Sequence, residues 1–222
     1  MKIVFLILAS QDEVHQADQM TQVSTWASDD LENIKIFWLH GWKKEEYYLD
    51  GRNLYVPCEE DYSNILEKTI LGAKYLLRNF EFDLLIRSNV SSYFNLDLLQ
   101  RELSKGYYRQ DFFGGYVDRS NGKYFKRSKP FEYVSGTGIF VSRRYLEQLS
   151  QLDSSIYTDV PDDVAITDFL NNQGFRLVRM KRCNLSSTHL FFPCFQTRAK
   201  SSTDSELAGK RMTQIHSFVF SF

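Results

Sequence analysis

The chain is poor in cysteine, balanced in charge and without a long apolar run, and each shortage removes a class of protein. Its 222 residues hold three cysteines, Cys58, Cys183 and Cys194. Their odd number and wide spacing give no disulfide framework and no C-x-x-C zinc pair. Free thiols fit a reducing compartment. The 27 Lys and Arg are offset by 28 Asp and Glu, a net charge of −1. A general nucleic-acid binder needs a basic surface, so nucleic acid is not an expected partner. No stretch approaches the ~18 apolar residues that span a membrane, so no transmembrane segment is expected. The opening "MKIVFLILAS" carries one Lys and a short apolar run. It reads as a buried first strand, with a short signal sequence as the alternative. There is no G-x-x-x-x-G-K-[ST] loop, no G-x-G-x-x-G after a strand and no G-x-S-x-G elbow. Kinase, dinucleotide oxidoreductase and serine hydrolase readings thereby lose their strongest support.

What is present suffices for one core. Apolar residues make up 43%, with 18 Phe and 13 Tyr, and large aromatics mostly serve burial. The expectation is a single domain over residues 1–222, with a polar loop and C-terminal tail at about 197–222. Strand and helix patterns alternate. "KIVFLILAS", "IKIFWLH", "NLYVP" and "FDLLIRS" read as strands. "VHQADQMTQVSTWAS" reads as a helix with an apolar face of Val14, Ala17, Met20, Val23 or Ser24, and Ala27. "DYSNILEKTILGAKYLLRNF" reads as a helix packed through Ile65, Leu66, Thr69, Ile70, Ala73, Leu76 and Leu77, with Ser63 or Asn64 as its cap. Further on come a short helix "NLDLLQRELSK", strand-like "DFFGGYVD", a strand at "IFVS" and a helix from about Arg144. A helix "DVAITDFLNNQGF" stopped by Gly174 and a strand "RLVRM" follow. "IHSFVFSF" reads as an edge strand or packed tail. This alternation implies an α/β fold, a mostly parallel sheet with helices on both faces. Such sheets bind ligands beyond the carboxyl ends of their strands, where "RSNVSS" falls.

Four stretches and one histidine are candidates for chemistry. They are "EDYSNILEKT" (Glu60 to Thr69), "RSNVSSYFN" (Arg87 to Asn95), "SGTGIFVS" (Ser135 to Ser142), "PDDVAITDFL" (Pro161 to Leu170) and His189 in "STH". From residue chemistry alone, Asp162 and Asp163 either cap a helix or act as acid–base groups. "SGTG" marks either a tight turn or a close backbone approach.

In this order and spacing the stretches resemble the inverting, nucleotide-sugar-dependent glycosyltransferases of the GT-A fold that include the β-1,3-galactosyltransferases and the Fringe enzymes. The resemblance runs from about Lys2 to Leu190. "EDYSNILEKT" is similar to the family's D-S-Y-x-N-L-T-L-K-T, "RSNVSSYFN" to K-T-D-D-D-V-F-V-N, and "SGTGIFVS" to S-G-G-G-Y-V-L-S. "PDDV" is similar to the family's acidic motif, and His189 to a Fringe-type metal histidine.

The resemblance implies a hexosyltransferase-type enzyme, with a UDP-sugar as donor and a glycan, lipid-linked or protein-linked hydroxyl as acceptor. It implies Asp163 as catalytic base with Asp162 beside it. Donor contacts fall on Ser10, Lys68, Arg87, Ser88, Asn89 and Ser91, and sugar or acceptor contacts on Gly136, Thr137 and Gly138. Trp26 is expected in the core. The departure lies in the metal motif, because the D-x-D position reads Asn89-Val90-Ser91. An amide and a hydroxyl bind a hard cation such as Mn2+ or Mg2+ far less well than two carboxylates. Three readings follow: a metal-independent enzyme whose Arg87, Lys68, Arg198, Lys200, Lys210 or Arg211 meets the diphosphate, weak metal binding through His189, or an inactive relative that binds sugar or nucleotide. Analogy adds an expected cytoplasmic, soluble enzyme of bacterial or viral type.

Overall fold

The computed structural model describes residues 1–28, 31–105, 111–120, 130–184, 194–199 and 207–219. Strand β1 (Ile3–Leu8) is buried at all six positions. Its alternate residues enter opposite layers: Val4, Leu6 and Leu8 join one core, Ile3, Phe5 and Ile7 the other. This is the two-residue period of a strand covered on both faces. On one side β1 pairs in parallel with β2 (Ile34–Trp42), and on the other with β5 (Leu84–Asn89). The chain thus winds outward from β1 in two directions, which opens a crevice at the carboxyl ends of β1 and β5.

The remaining strands extend this centre. They are β3 (Tyr48–Asp50), β4 (Asn53–Pro57), β7 (Phe113–Ser120), β8 (Phe131–Ser142) and β9 (Leu177–Arg179). The eight-stranded order is β3-β4-β2-β1-β5-β8-β7-β9. The sheet is mostly parallel, with β3 and β8 running against their neighbours. A second, three-stranded sheet joins β10 (Cys183–Asn184) and β11 (Gln196–Arg198) to β6 (Ser92–Phe94).

Helices cover both faces. α2 (Ile65–Asn79), α4 (Arg143–Leu149) and α5 (Asp162–Asn172) supply Ile70, Leu146 and Ile166 to one core. α3 (Leu96–Leu103) and α6 (Leu207–Val219) supply Leu99 and Met212 to the other, beside Trp26. No helix among the described residues is long and apolar enough to cross a membrane.

Four expectations are corrected. Helix α1 (Glu13–Val23) does not bury the predicted apolar face: Val14, Met20 and Val23 are exposed, whereas Asp18 and Gln22 are buried. Gln22 turns inward because it has buried partners. Its amide NH2 donates to the carbonyls of Asn89 (3.2 Å) and Ser92 (3.0 Å), and its carbonyl accepts from the Trp38 indole (2.9 Å). Second, Asn64 stands at the N-cap of α2, but its side chain makes no capping hydrogen bond. Asp61 caps a short 3-10 turn over Tyr62–Asn64, accepting from the Ser63 amide at 2.8 Å. Third, "SGTG" is no turn: Gly136 and Gly138 lie within the long strand β8. Fourth, "IHSFVFSF" falls largely in α6, which buries Ala208, Met212 and Ile215 at helical spacing. The alternation inside the tail hid a period that begins upstream of it. Trp26 lies in the core, as expected.

Candidate functional site

A cleft of about 610 Å³ opens at the carboxyl ends of β1 and β5. Ser10, Lys68, Arg87, Asn89, Ser91, Gly136, Thr137, Asp162 and Asp163 all line it. These residues come from five separate stretches, gathered because β1 and β5, and β5 and β8, are neighbours and α5 begins beside them.

The two aspartates stand in the first turn of α5, behind Pro161 at its N-cap. Negative charge there is favoured by the helix dipole. The Arg87 guanidinium pairs with Asp162 and donates to the Gly136 carbonyl at 2.5 Å. Asp163 accepts from the Gly136 amide and from the Val164 amide, each at 2.9 Å. Its helix is pinned to β8 by Thr167, whose hydroxyl donates to the Asp163 carbonyl (2.7 Å) and accepts from the Val134 amide (3.0 Å). Burial, and next the negative charge of Asp162, push the Asp163 carboxyl up to about 6.

Glycine at 136 has a packing reason. A Cβ there would run into the Arg87 guanidinium and come within 3.3 Å of Asp163. The close approach of β8 to β5 and α5 therefore depends on the missing side chain. A Cβ at Gly138 would instead meet the buried Gln196 side chain.

The other sequence candidates divide. Lys68 is buried in α2, pairs with Glu60 and donates to the Ala9 carbonyl at 2.9 Å. Glu60 also accepts from the Gly41 amide at 2.6 Å, so it ties the ends of β1, β2 and α2 together. The Ser10 hydroxyl bonds Asp12, the cap of α1, and lies 2.6 Å from His15 Nδ1. Ser88 and Gly138 do not line the cleft. The Ser88 hydroxyl donates to the Thr137 carbonyl at 2.7 Å and so links β5 to β8. His189 lies outside the described residues.

At the metal-motif position, Asn89 Oδ1 accepts from the hydroxyls of Ser91 (3.1 Å) and Ser92 (2.9 Å). These side chains are neutral and the Asn89 oxygen is already taken by two hydroxyls, so they do not fit a hard divalent cation in the manner of a carboxylate pair. No cluster of three or more His, Cys, Asp or Glu among the described residues could hold a metal ion.

Two positions escaped the sequence reading. Gln22 holds the Asn89–Ser92 turn from beneath, and a glutamine in an amphipathic helix gives no sign of it. Arg182 donates to the hydroxyls of Ser135 (2.9 Å) and Thr137 (2.8 Å), with its guanidinium 3.8 Å from the Tyr116 ring centroid. It immediately precedes β10, a strand of two residues, too short for any periodic signal.

The architecture has solved counterparts. A glycosyltransferase involved in glycosylation of the major capsid of PBCV-1 matches with a TM-score of 0.58 at 10% identity, over 96% of this chain and 100% of that one. A mannosyltransferase from Pyrobaculum calidifontis, in complex with GDP-Man and Mn2+, matches with a TM-score of 0.51 at 8% identity. That match covers 81% of this chain and 54% of the mannosyltransferase. The chain has the GT-A-like fold of these glycosyltransferases. No protein-family model matches it, and no curated protein matches its sequence.

Proposed function

We propose that the chain is an inverting glycosyltransferase akin to the β-1,3-galactosyltransferase and Fringe enzymes. It takes a hexose from a nucleotide sugar, a UDP-sugar first among them, and passes it to a hydroxyl of a glycan, lipid-linked or protein-linked acceptor. The observation that carries this reading is the contrast between the two aspartates. Arg87 is ion-paired with Asp162, while Asp163 has no ion-pair partner among the described residues and its carboxyl is pushed up to about 6. A carboxylate of that basicity, in a cleft at the strand ends, suits removal of a proton near neutral pH.

In the reaction, the acceptor O–H bond breaks and its proton passes to Asp163. The oxygen's electron pair forms the new bond to the anomeric carbon from the face opposite the diphosphate. The bond from that carbon to the diphosphate oxygen breaks, and its electrons leave on the nucleoside diphosphate. Asp162 keeps Arg87 and Gly136 in place, and Gly136 in turn orients Asp163. The mannosyltransferase counterpart holds Mn2+; the neutral Asn89–Ser91 pair here does not fit such an ion, so these steps rest on the chain's own residues.

The neutral pair also favours a second reading, a binding protein for nucleotide sugars that does not turn them over. Incubation with a panel of UDP- and GDP-sugars, read by NMR of the anomeric proton, separates the two. A product of inverted configuration is expected. Binding without turnover would favour the second reading, and a retained configuration would remove the direct displacement.

A further inference from the structure

We propose that Arg198 meets the donor diphosphate at the strand end where related enzymes use a metal ion, so that nucleotide binding needs no divalent cation. The inference rests on the nucleotide-sugar reading above and assigns the cation of that same site.

Among the described residues, seven carboxylates and three Lys or Arg side chains line the cleft. A diphosphate there needs a cation held at its binding point. Two of the three cations are already committed, Lys68 to Glu60 and Arg87 to Asp162. Arg198 is exposed and lines the cleft, and its side chain has no carboxylate or hydrogen-bond partner among the described residues.

Its location follows from strand pairing. β11 runs antiparallel to β6 with Arg198 opposite Ser92, and the Ala199 amide donates to the Ser91 carbonyl at 3.0 Å. Residues directly opposite in an antiparallel pair project on the same face. Arg198 therefore shares a face with Ser92, whose hydroxyl donates to Asn89 Oδ1. Because that oxygen is taken by two hydroxyls, Asn89 has its NH2 left to offer. A metal site presents acceptors to a cation. This strand end presents N–H donors, from Asn89 and a guanidinium whose planar fork matches phosphate oxygens. Arg182 reinforces the local charge: burial, and next the charge of Arg198, hold its guanidinium below the ordinary range.

The test is calorimetric titration of the full chain with UDP, GDP and the corresponding nucleosides, in EDTA and in Mn2+. A nucleoside diphosphate should bind in EDTA. Arg198→Ala should weaken that binding about tenfold or more, as for loss of a charge-assisted contact, and leave nucleoside binding unchanged. Arg198→Lys should recover part of the loss. Unaltered diphosphate binding by Arg198→Ala, or wild-type binding that requires Mn2+, would overturn the assignment while leaving the nucleotide-sugar reading intact. If no nucleotide binds under either condition, that reading fails and the assignment falls with it.

Discussion

Arg87 pairs with Asp162 and not with its neighbour Asp163. The two carboxylates are adjacent in sequence and share a helix turn, yet one charge is matched and the other is not. On the proposed reading that asymmetry gives Asp162 a structural role and Asp163 a chemical one, and the first two predictions follow from it.

Asp162→Asn should act on stability first. Both members of the pair are well buried, with side-chain exposures of 4% for Arg87 and 11% for Asp162. Removing the carboxylate leaves a buried guanidinium without its counter-charge, at a cost of about 3 kcal/mol. Urea denaturation should register this as a lower midpoint at unchanged slope.

Acidity offers a second check. Activity, measured as kcat/KM, should rise with pH through about 6 as Asp163 loses its proton. Stability should move the opposite way. The folded-state value lies above the ordinary 3.8, so between about pH 4 and pH 6 the folded state binds more protons than the unfolded state. Stability therefore falls as pH rises through this window, by about 3 kcal/mol in all. Asp163→Asn should remove this contribution from the stability–pH curve.

Gly136→Ala should be damaging for a reason unrelated to chain flexibility. The added methyl would displace the Arg87 guanidinium and crowd Asp163. An overpacked site of this kind typically costs about 1–3 kcal/mol. Donor turnover should fall along with thermal stability, whereas Gly51→Ala, at a turn away from the cleft whose φ of +56° strains any side chain, should lower stability and leave turnover unchanged.

Gln22→Leu should loosen the Asn89–Ser92 turn. It leaves the Trp38 indole and two carbonyls without their partner. Each buried group left unsatisfied costs about 1–3 kcal/mol. Thermal melting should show the loss, and nucleotide binding should weaken at the altered strand end.

Much of this was legible from the residues. The apolar runs of β1, β2, β4 and β5 and the stripe Leu66, Ile70, Ala73 and Leu76 of α2 gave the central sheet and one of its covering helices. The motif positions Arg87, Asn89, Gly136, Asp162 and Asp163 were all candidates, and all line one cleft. Short elements were not legible: β6, β10 and β11 span only two or three residues each and carry no period. Yet β11 is what carries Arg198 to the cleft. The inward polar face of α1 was hidden for another reason. Gln22 is buried because its partners come from β2 and the β5–β6 turn, distant in sequence. Charge pairing was also beyond reach, because nothing in "PDD" tells which aspartate Arg87 selects.

The central claim is that Asp163 removes the acceptor proton. Its most direct test measures sugar transfer and donor binding side by side for the wild-type chain and Asp163→Asn. The account predicts transfer reduced by about 10²–10⁴-fold, with donor affinity and fold retained. Transfer by Asp163→Asn at the wild-type rate would contradict it.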